Sequence, residues 1–276
     1  MPRPPVHPWW TQVLACPFDG GALTCVETVV ATCDVCRTPF PILAGVPVLM
    51  PEPGRWIAHH RDAVVASLAE RGLLDSASLQ AIEAFAEPWR HEPREPFADD
   101  WTDAESEGGT ELLSPLPGPT SGALSAWLTR AEDHNPTARI LAHLDAAPTP
   151  VALELGPGAG LLSRLLAERS ERLLLADRSL RAVLLAADRA REAGVAEVAG
   201  AVVDAELLPL LPGSVDTVVA ANVLDLLEGP AATLEAIAAA LKSGGRLLAC
   251  TPRPCLTDPD EDPDTLAALI EETGLA

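Results

Sequence analysis

Tyrosine is absent from the 276 residues and lysine occurs once, at Lys242. No phenol chemistry is therefore available. Basic residues are scarce in general: 19 Lys and Arg stand against 40 Asp and Glu, a formal charge of −21 and a pI near 4.5. A field of that sign repels phosphate backbones and argues against avid nucleic-acid binding. No apolar run reaches the 18 residues or so that a membrane-crossing helix needs. Residues 1–12 hold four prolines, His7 and two tryptophans, with no apolar stretch of the kind a leader requires. Val13-Leu14-Ala15-Cys16 is thus not read as a lipoprotein cleavage box, and a cytoplasmic protein is expected. Its six cysteines are then metal ligands or buried thiols rather than disulfides.

What is present is apolar enough, at 48% hydrophobic residues, to bury a sizeable core. Four cysteines fall within residues 16–36 and none recurs before Cys250. A first module is therefore expected over residues 1–53, ending where Pro51-Glu52-Pro53-Gly54 breaks the chain. Residues 54–135 form a middle region. Periodic apolar residues predict helices over 56–74 and 76–85, with Asp75 or Ser76 as cap, and an acidic, proline-rich loop follows over 87–119. That region is read as a lid, with Trp89 and Trp101 available to cover a pocket.

A third region, 136–276, opens with a helix over 136–144 and then becomes regular. Strands are expected at 151–155, 173–176, 198–203, 215–221 and 246–250, and helices at 161–168, 180–193, 231–241 and 265–272. Unbroken apolar strands alternating with helices predict an α/β fold, a Rossmann-like, doubly wound parallel sheet covered on both faces.

The sharpest chemical signal is Glu154-Leu155-Gly156-Pro157-Gly158-Ala159-Gly160, placed after the first of these strands and opening a helix. Glycines there permit a tight turn and bring a ligand against backbone N–H groups. The spacing is G-x-G-x-G with Leu161 at the sixth position, not the dinucleotide G-x-G-x-x-G, which favours S-adenosylmethionine over NAD. Asp177, 21 residues after Gly156, ends the second strand and can accept two ribose hydroxyls. Asp204, followed by Ala205, ends the third and can accept from an adenine amino group. Each Asp could equally be a helix cap. Asn222 closes the fourth strand.

In these motifs residues 151–250 resemble class I S-adenosylmethionine-dependent methyltransferases. The glycine loop, Asp177, Asp204, the segment from Asp216 to Leu224 and the turn Leu241-Lys242-Ser243-Gly244-Gly245-Arg246 match the family in order. The resemblance implies that Glu154, Gly156, Gly158, Gly160, Asp177, Asp204, Ala205 and Asn222 bind the cofactor. It also implies that Glu154 approaches the methionine amino group. Relatives often carry His where this chain has Asp225, so no catalytic histidine is carried over. The family's closing antiparallel strand pair has no counterpart here; either the chain is a fragment or other segments protect that sheet edge.

Cys16-Pro17-Phe18-Asp19 and Cys33-Asp34-Val35-Cys36 have the spacing of zinc knuckles, with Asp19 where a second Cys would stand. Four at most of Cys16, Asp19, Cys25, Cys33 and Cys36 would hold a metal, with Asp19 or Cys25 completing the set. With Pro39-Phe40-Pro41-Ile42 and Gly45-Val46-Pro47 the segment is similar to small zinc-ribbon proteins, some of which activate methyltransferases as partner subunits.

Three readings follow. The first is a methyltransferase acting on a small molecule or peptide, with S-adenosylmethionine and Zn²⁺ as cofactors and the ribbon structural or activating in cis. The second is an rRNA or tRNA methyltransferase with the ribbon as RNA finger, against which the charge speaks. The third is a non-catalytic regulator on the same fold. A general base is needed only if the acceptor must lose a proton. The candidates, His59, His60, His91, His134, His143 and Asp225, carry no motif. Catalytic residues and oligomeric state are left open.

Overall fold

A computed structural model describes residues 8–27, 29–91, 136–146, 149–194, 197–250 and 265–275. Trp101, His134 and Cys255 lie outside them, as does most of the expected lid.

The N-terminal part is an antiparallel meander, β1 (Leu23–Glu27), β2 (Val30–Cys33), β3 (Pro39–Leu43) and β4 (Val46–Leu49). Ala44 and Gly45, both at positive φ, make the turn into β4. Every residue of β4 is buried. The helices α1 (Pro53–Glu70) and α2 (Ser76–Ala86) follow. Pro53 sits in the first turn of α1, where a missing N–H costs nothing. Asp75 caps α2, accepting from Ser78 N at 2.7 Å. A virtual Cβ on Gly54 would lie 2.5 Å from Phe85 O, so this glycine lets the two helices approach.

The second half alternates as the sequence predicts: α3 (Pro136–Asp145), β5 (Thr149–Leu155), α4 (Leu161–Ala167), β6 (Ser170–Asp177), α5 (Leu180–Ala193), β7 (Glu197–Val203), β8 (Val215–Ala221), α6 (Pro230–Ala240), β9 (Leu241–Cys250) and α7 (Thr265–Glu272). Strands β5 to β9 are parallel, in the spatial order β7-β6-β5-β8-β9. The doubly wound fold is thus as expected. β9 begins at Leu241 rather than at 246, because the glycine turn runs on from the strand with a register shift instead of preceding it.

The two faces of the sheet bury alternate residues, as a pleat requires. Ala152, Leu173, Leu175 and Val219 pack against α3, α4 and α5. Leu153, Leu174, Val218 and Ala220 face α6 and the N-terminal segment around Trp9 and Trp10. Helix α1 covers Val202 and the start of α5.

One feature was not expected from the sequence. β4 lies parallel to β7, with Val48 beside Val202 and Leu49 beside Val203, so meander and parallel strands form one nine-stranded sheet. The outer side of β9 carries no strand among the described residues. Asp216 and Lys242 form an ion pair of 2.7 Å at the amino edge of β8, where Asp216 also accepts from Val151 N. That places Asp216 away from the carboxyl ends of the strands. No described helix is long and apolar enough to cross a membrane.

Helix α5 approaches β7 where Gly200 has no side chain, since a Cβ there would lie 2.2 Å from Val183 Cγ1. Gly200→Ala is expected to cost about 2 kcal/mol in a urea melt, by overpacking. Adding Val183→Ala should recover part of that loss, and strictly additive effects would contradict the close approach.

Candidate functional site

The carboxyl ends of β5, β6, β7 and β8 bring Leu155, Asp177, Val203 and Ala221 to one edge of the sheet. In an open α/β sheet this edge, at the point where the winding reverses between β5 and β8, is where ligands bind. The residues expected to bind the cofactor, Glu154, Gly156, Gly158, Gly160, Asp177, Asp204, Ala205 and Asn222, all lie there or in the loops leaving it.

Gly156, Gly158 and Gly160 all adopt left-handed backbone, with φ of 66°, 52° and 77°. Two of them are also forced by close approach. A Cβ on Gly156 would lie 2.3 Å from Val223 Cγ2, and one on Gly160 would lie 2.4 Å from Ala186 Cα on α5. The loop is pinned by Gly156 N to Ala176 O at 2.8 Å and by the Arg189 guanidinium donating to Ala159 O. Its end opens α4, whose first N–H groups point back toward the loop.

Glu154 is buried beside this loop, and its Oε2 accepts from Ser163 Oγ of α4 at 2.5 Å. Burial pushes its pKa up to about 7, the Ser163 bond opposes this, and the nearby Asp177 charge adds to it. Ser163 is a partner that sequence reasoning missed. Its only signal was a hydroxyl in an otherwise apolar turn. Asp177 accepts from Ser179 N at 2.9 Å. Desolvation raises its pKa, while backbone N–H groups of Ser179, Gly158 and Arg178 and the Arg178 charge pull it down. Asp204 accepts from Glu206 N at 3.1 Å and caps the 3-10 turn Ala205–Leu207. Both aspartates therefore cap a turn while keeping carboxylate lone pairs to offer a ligand. Asn222 is exposed at the end of β8 in left-handed backbone, φ 59°, with its N–H donating to Cys250 O at 2.8 Å. Such a backbone at a strand's carboxyl end is a mark of a constrained site.

Beside the Asp177 loop lies a cavity of about 280 Å³, bounded by Trp56 and His60 of α1 and by Arg178 to Arg181. His60 stacks on Trp56 with ring centroids 4.8 Å apart, and its Nδ1 is 2.8 Å from Trp56 O. His59 shares the helix. His91 is exposed beyond α2, and His143 lies on α3, which leads into the amino end of β5. The structure does not bring these histidines together.

A second cluster sits in the meander. Cys16, Asp19, Cys33 and Cys36 each offer a ligand atom, all within 4.8 Å of one another. Cys25, half-buried on β1, is not among them. Cys16 Sγ and Cys36 Sγ are 3.6 Å apart, and Cys33 Sγ is 3.3 and 3.7 Å from the Asp19 oxygens. Thiolates around one tetrahedral zinc lie roughly 3.8 Å apart, so the spacing fits. Gly21 keeps the space open, since a Cβ there would lie 2.8 Å from both Asp19 Oδ1 and Cys33 Sγ. Val35 N donates to Cys33 Sγ at 3.3 Å, an N–H to sulfur bond across the second turn.

Residues 153–249 match the family model described as a methyltransferase domain. No curated protein matches the chain. Among solved structures, the YcgJ protein of Bacillus subtilis is similar at 22% identity over 42% of this chain and 50% of its own, with a TM-score of 0.38. Phosphoethanolamine N-methyltransferase 2 of Haemonchus contortus shares 20% identity over 51% of this chain and 36% of its own, TM-score 0.43. The N-methyltransferase NodS of Bradyrhizobium japonicum shares 24% over 50% and 70%, TM-score 0.37. The chain thus spans half the length of the Bacillus protein, and likenesses of this size concern the fold alone.

Two outcomes check this geometry. Glu154 titrates about 7 when folded and near 4.5 when unfolded, so its favourable contribution is complete below pH 4.5 and lost as pH rises through 7. Thermal melts of Glu154→Gln against wild type should show the variant gaining up to about 3 kcal/mol on the parent between pH 4.5 and 8. A constant difference would show that the carboxyl is ionised throughout. Gly160→Ala, strained by its φ and meeting α5 backbone, should lose about 3 kcal/mol in a urea melt; a loss within a few tenths would contradict the contact.

Proposed function

We propose that this protein is an S-adenosylmethionine-dependent methyltransferase acting on a small molecule or peptide, with its N-terminal ribbon built in as a structural or activating part. The observation that carries this reading is the convergence of one left-handed glycine loop with Glu154, Asp177, Asp204 and Asn222 on the carboxyl edge of the sheet. The match of residues 153–249 to a methyltransferase family supports it.

In this reading the loop N–H groups and the start of α4 cradle the methionine carboxylate and the sugar side of the cofactor. Asp177 accepts the ribose hydroxyls. Asp204 and the neighbouring Ala205 backbone hold the adenine edge. Glu154, neutral or ionised near neutral pH, meets the amino group and becomes fully ionised when a cation pairs with it. Asn222 lines the reactive end. The bound sulfonium supplies an activated methyl group. What the protein adds is alignment of donor and acceptor in a water-poor cleft, and no base is required for an acceptor whose nucleophilic atom need not lose a proton first. The excess of acidic residues supports a neutral or cationic acceptor rather than RNA.

We further assign Zn²⁺ to Cys16, Asp19, Cys33 and Cys36, on the fit of their donor set. The chain is divided accordingly into a ribbon over 1–53, a middle region over 54–135 and a cofactor-binding region over 136–276. A cytoplasmic location belongs to the same reading, and free cysteines suit it.

Calorimetric titration with S-adenosylmethionine, S-adenosylhomocysteine and NAD tests the cofactor. Micromolar binding of the first two is expected, absent for NAD and weakened about 10- to 100-fold in Asp177→Ala, as for a lost hydrogen bond to a charged group. Binding of none of the three would sink the enzyme reading in favour of a regulator. For the metal, about one zinc per chain is expected. It should be retained in Cys25→Ser and released more readily in Asp19→Ala, measured by a chromophoric chelator. Loss of zinc in Cys25→Ser would reassign the fourth ligand.

A further inference from the structure

The segment that carries Asp204 is held from two sides by the ribbon. Upstream, β7 ends at Val203 with Leu49 of β4 alongside it. Downstream, Ala15 N donates to Pro209 O at 2.9 Å, Leu211 N donates to Val13 O at 2.8 Å, and Leu14 bridges Leu210. The residue after Ala15 is Cys16, one of the two buried thiols of the cluster, whose Sγ lies 3.6 Å from Cys36 Sγ. Cys16 N donates to Gly21 O and Gly20 N to Cys16 O, which closes the first ligand turn directly onto the 13–15 strand. Between that turn and residues 206–210 lies a cavity of about 250 Å³, so side-chain packing there is incomplete and the backbone bonds are the firm connection. On its other side the loop is tied to α6 by Thr233 Oγ1 to Ala205 O at 2.9 Å and Gly229 N to Glu206 Oε1 at 2.8 Å.

We propose that the Cys16, Asp19, Cys33 and Cys36 cluster is a positioning element for the Asp204 loop, so that zinc and the adenine-bearing cofactor tighten each other's binding. The inference rests on the cofactor and metal assignments above and adds a thermodynamic link between them. A tetrahedral ion fixes the Cys16 turn against the Cys33 turn. With the ion gone, three thiols and a carboxylate share a crowded space held only by weak sulfur hydrogen bonds, and the turn relaxes. Because Ala15 is covalently next to Cys16, that relaxation reaches Pro209 and Leu211 without any intervening side chain. The β6–β7 ladder still pairs Asp177 with Val202, so what loosens is the 205–211 stretch that orients the Asp204 carboxylate and the Ala205 backbone. Coupling of this kind is reciprocal by necessity and typically amounts to 5- to 150-fold.

The test uses the full chain, loaded with zinc or stripped by a chelator, with circular dichroism confirming that both forms are folded. Titration with S-adenosylhomocysteine should give about tenfold tighter binding in the zinc form. In the reverse direction, transfer of zinc to a chromophoric chelator should be weakened by the same factor at saturating S-adenosylhomocysteine. A zinc site that merely stabilises the ribbon would not respond to the nucleoside. Leu211→Pro removes the N–H that donates to Val13 O while leaving all ligands in place, and it should still bind zinc and S-adenosylhomocysteine but with a coupling factor near one. If that variant does not fold, the two wild-type titrations decide alone. Equal nucleoside affinity with and without zinc overturns the coupling and leaves the cofactor assignment standing. No nucleoside binding to the zinc form overturns the cofactor assignment itself, and no retained zinc overturns the metal site and the coupling with it.

Discussion

The short parallel ladder between β4 and β7 sets the arrangement of everything around it. A parallel strand delivers the chain to the same edge as its neighbours, so β4 releases the chain at the carboxyl edge where β5 to β8 also end. Helix α1 can then start beside the Asp177 loop and pack on α5. An antiparallel β4 would have sent α1 to the opposite edge. The pairing also covers the outer side of β7, which would otherwise present open N–H and C=O groups to any passing strand. Because all of β4 is buried, it behaves as an interior strand of a parallel sheet and not as a loose attachment.

Around that edge the protein gathers acidic groups at some cost. Glu154 is buried, held by one hydroxyl, and close enough to Asp177 for their charges to oppose each other. Glu154 does not serve folding, since an apolar residue there would avoid the desolvation penalty. A site that lowers the stability of the empty protein while presenting two carboxylates to one cleft suits a ligand that brings hydroxyls and a cation. The opposite edge shows the contrasting use of the same chemistry. There Asp216 is satisfied by Lys242 and by Val151 N, and its role is to tie β8 to β9 and β5.

Much of this was legible in the sequence. The boundaries of α5, β8 and α7 coincide with the expected ones, because each is marked by local chemistry: Ser179 and Gly194 cap α5, and β8 is a run of β-branched and small residues. The turn made by the glycine loop was legible because glycines placed between a strand and a helix read directly as left-handed backbone. The ladder between β4 and β7 was not, since two strands about 150 residues apart carry no pairing code in their composition. Only the unbroken apolar run from Val46 to Leu49 hinted that the strand is covered on both faces. Ser163 was missed for the same reason, as its partner Glu154 is nine residues away across a turn. The ligand choice between Asp19 and Cys25 was open in sequence and depends on how the first knuckle folds, which Gly20 and Gly21 decide.

The double duty of Asp177 and Asp204 bears on why capping and ligand readings need not compete. A carboxylate has about four lone-pair directions, and a backbone N–H takes one. The cap narrows the choice of rotamer, so less freedom is left to lose when a hydroxyl or amino group arrives. Capping by itself already places Asp at this edge, because helices and turns start where the strands end. Both aspartates stand at the carboxyl edge, in the strand–loop junctions of the neighbouring strands β6 and β7. On the proposed reading, that placement would offer an adenosine-bearing ligand two acceptors on neighbouring strands. It also makes the position of the Asp204 loop, held on one side by the ribbon and on the other by α6, the element on which the orientation of the Asp204 carboxylate depends.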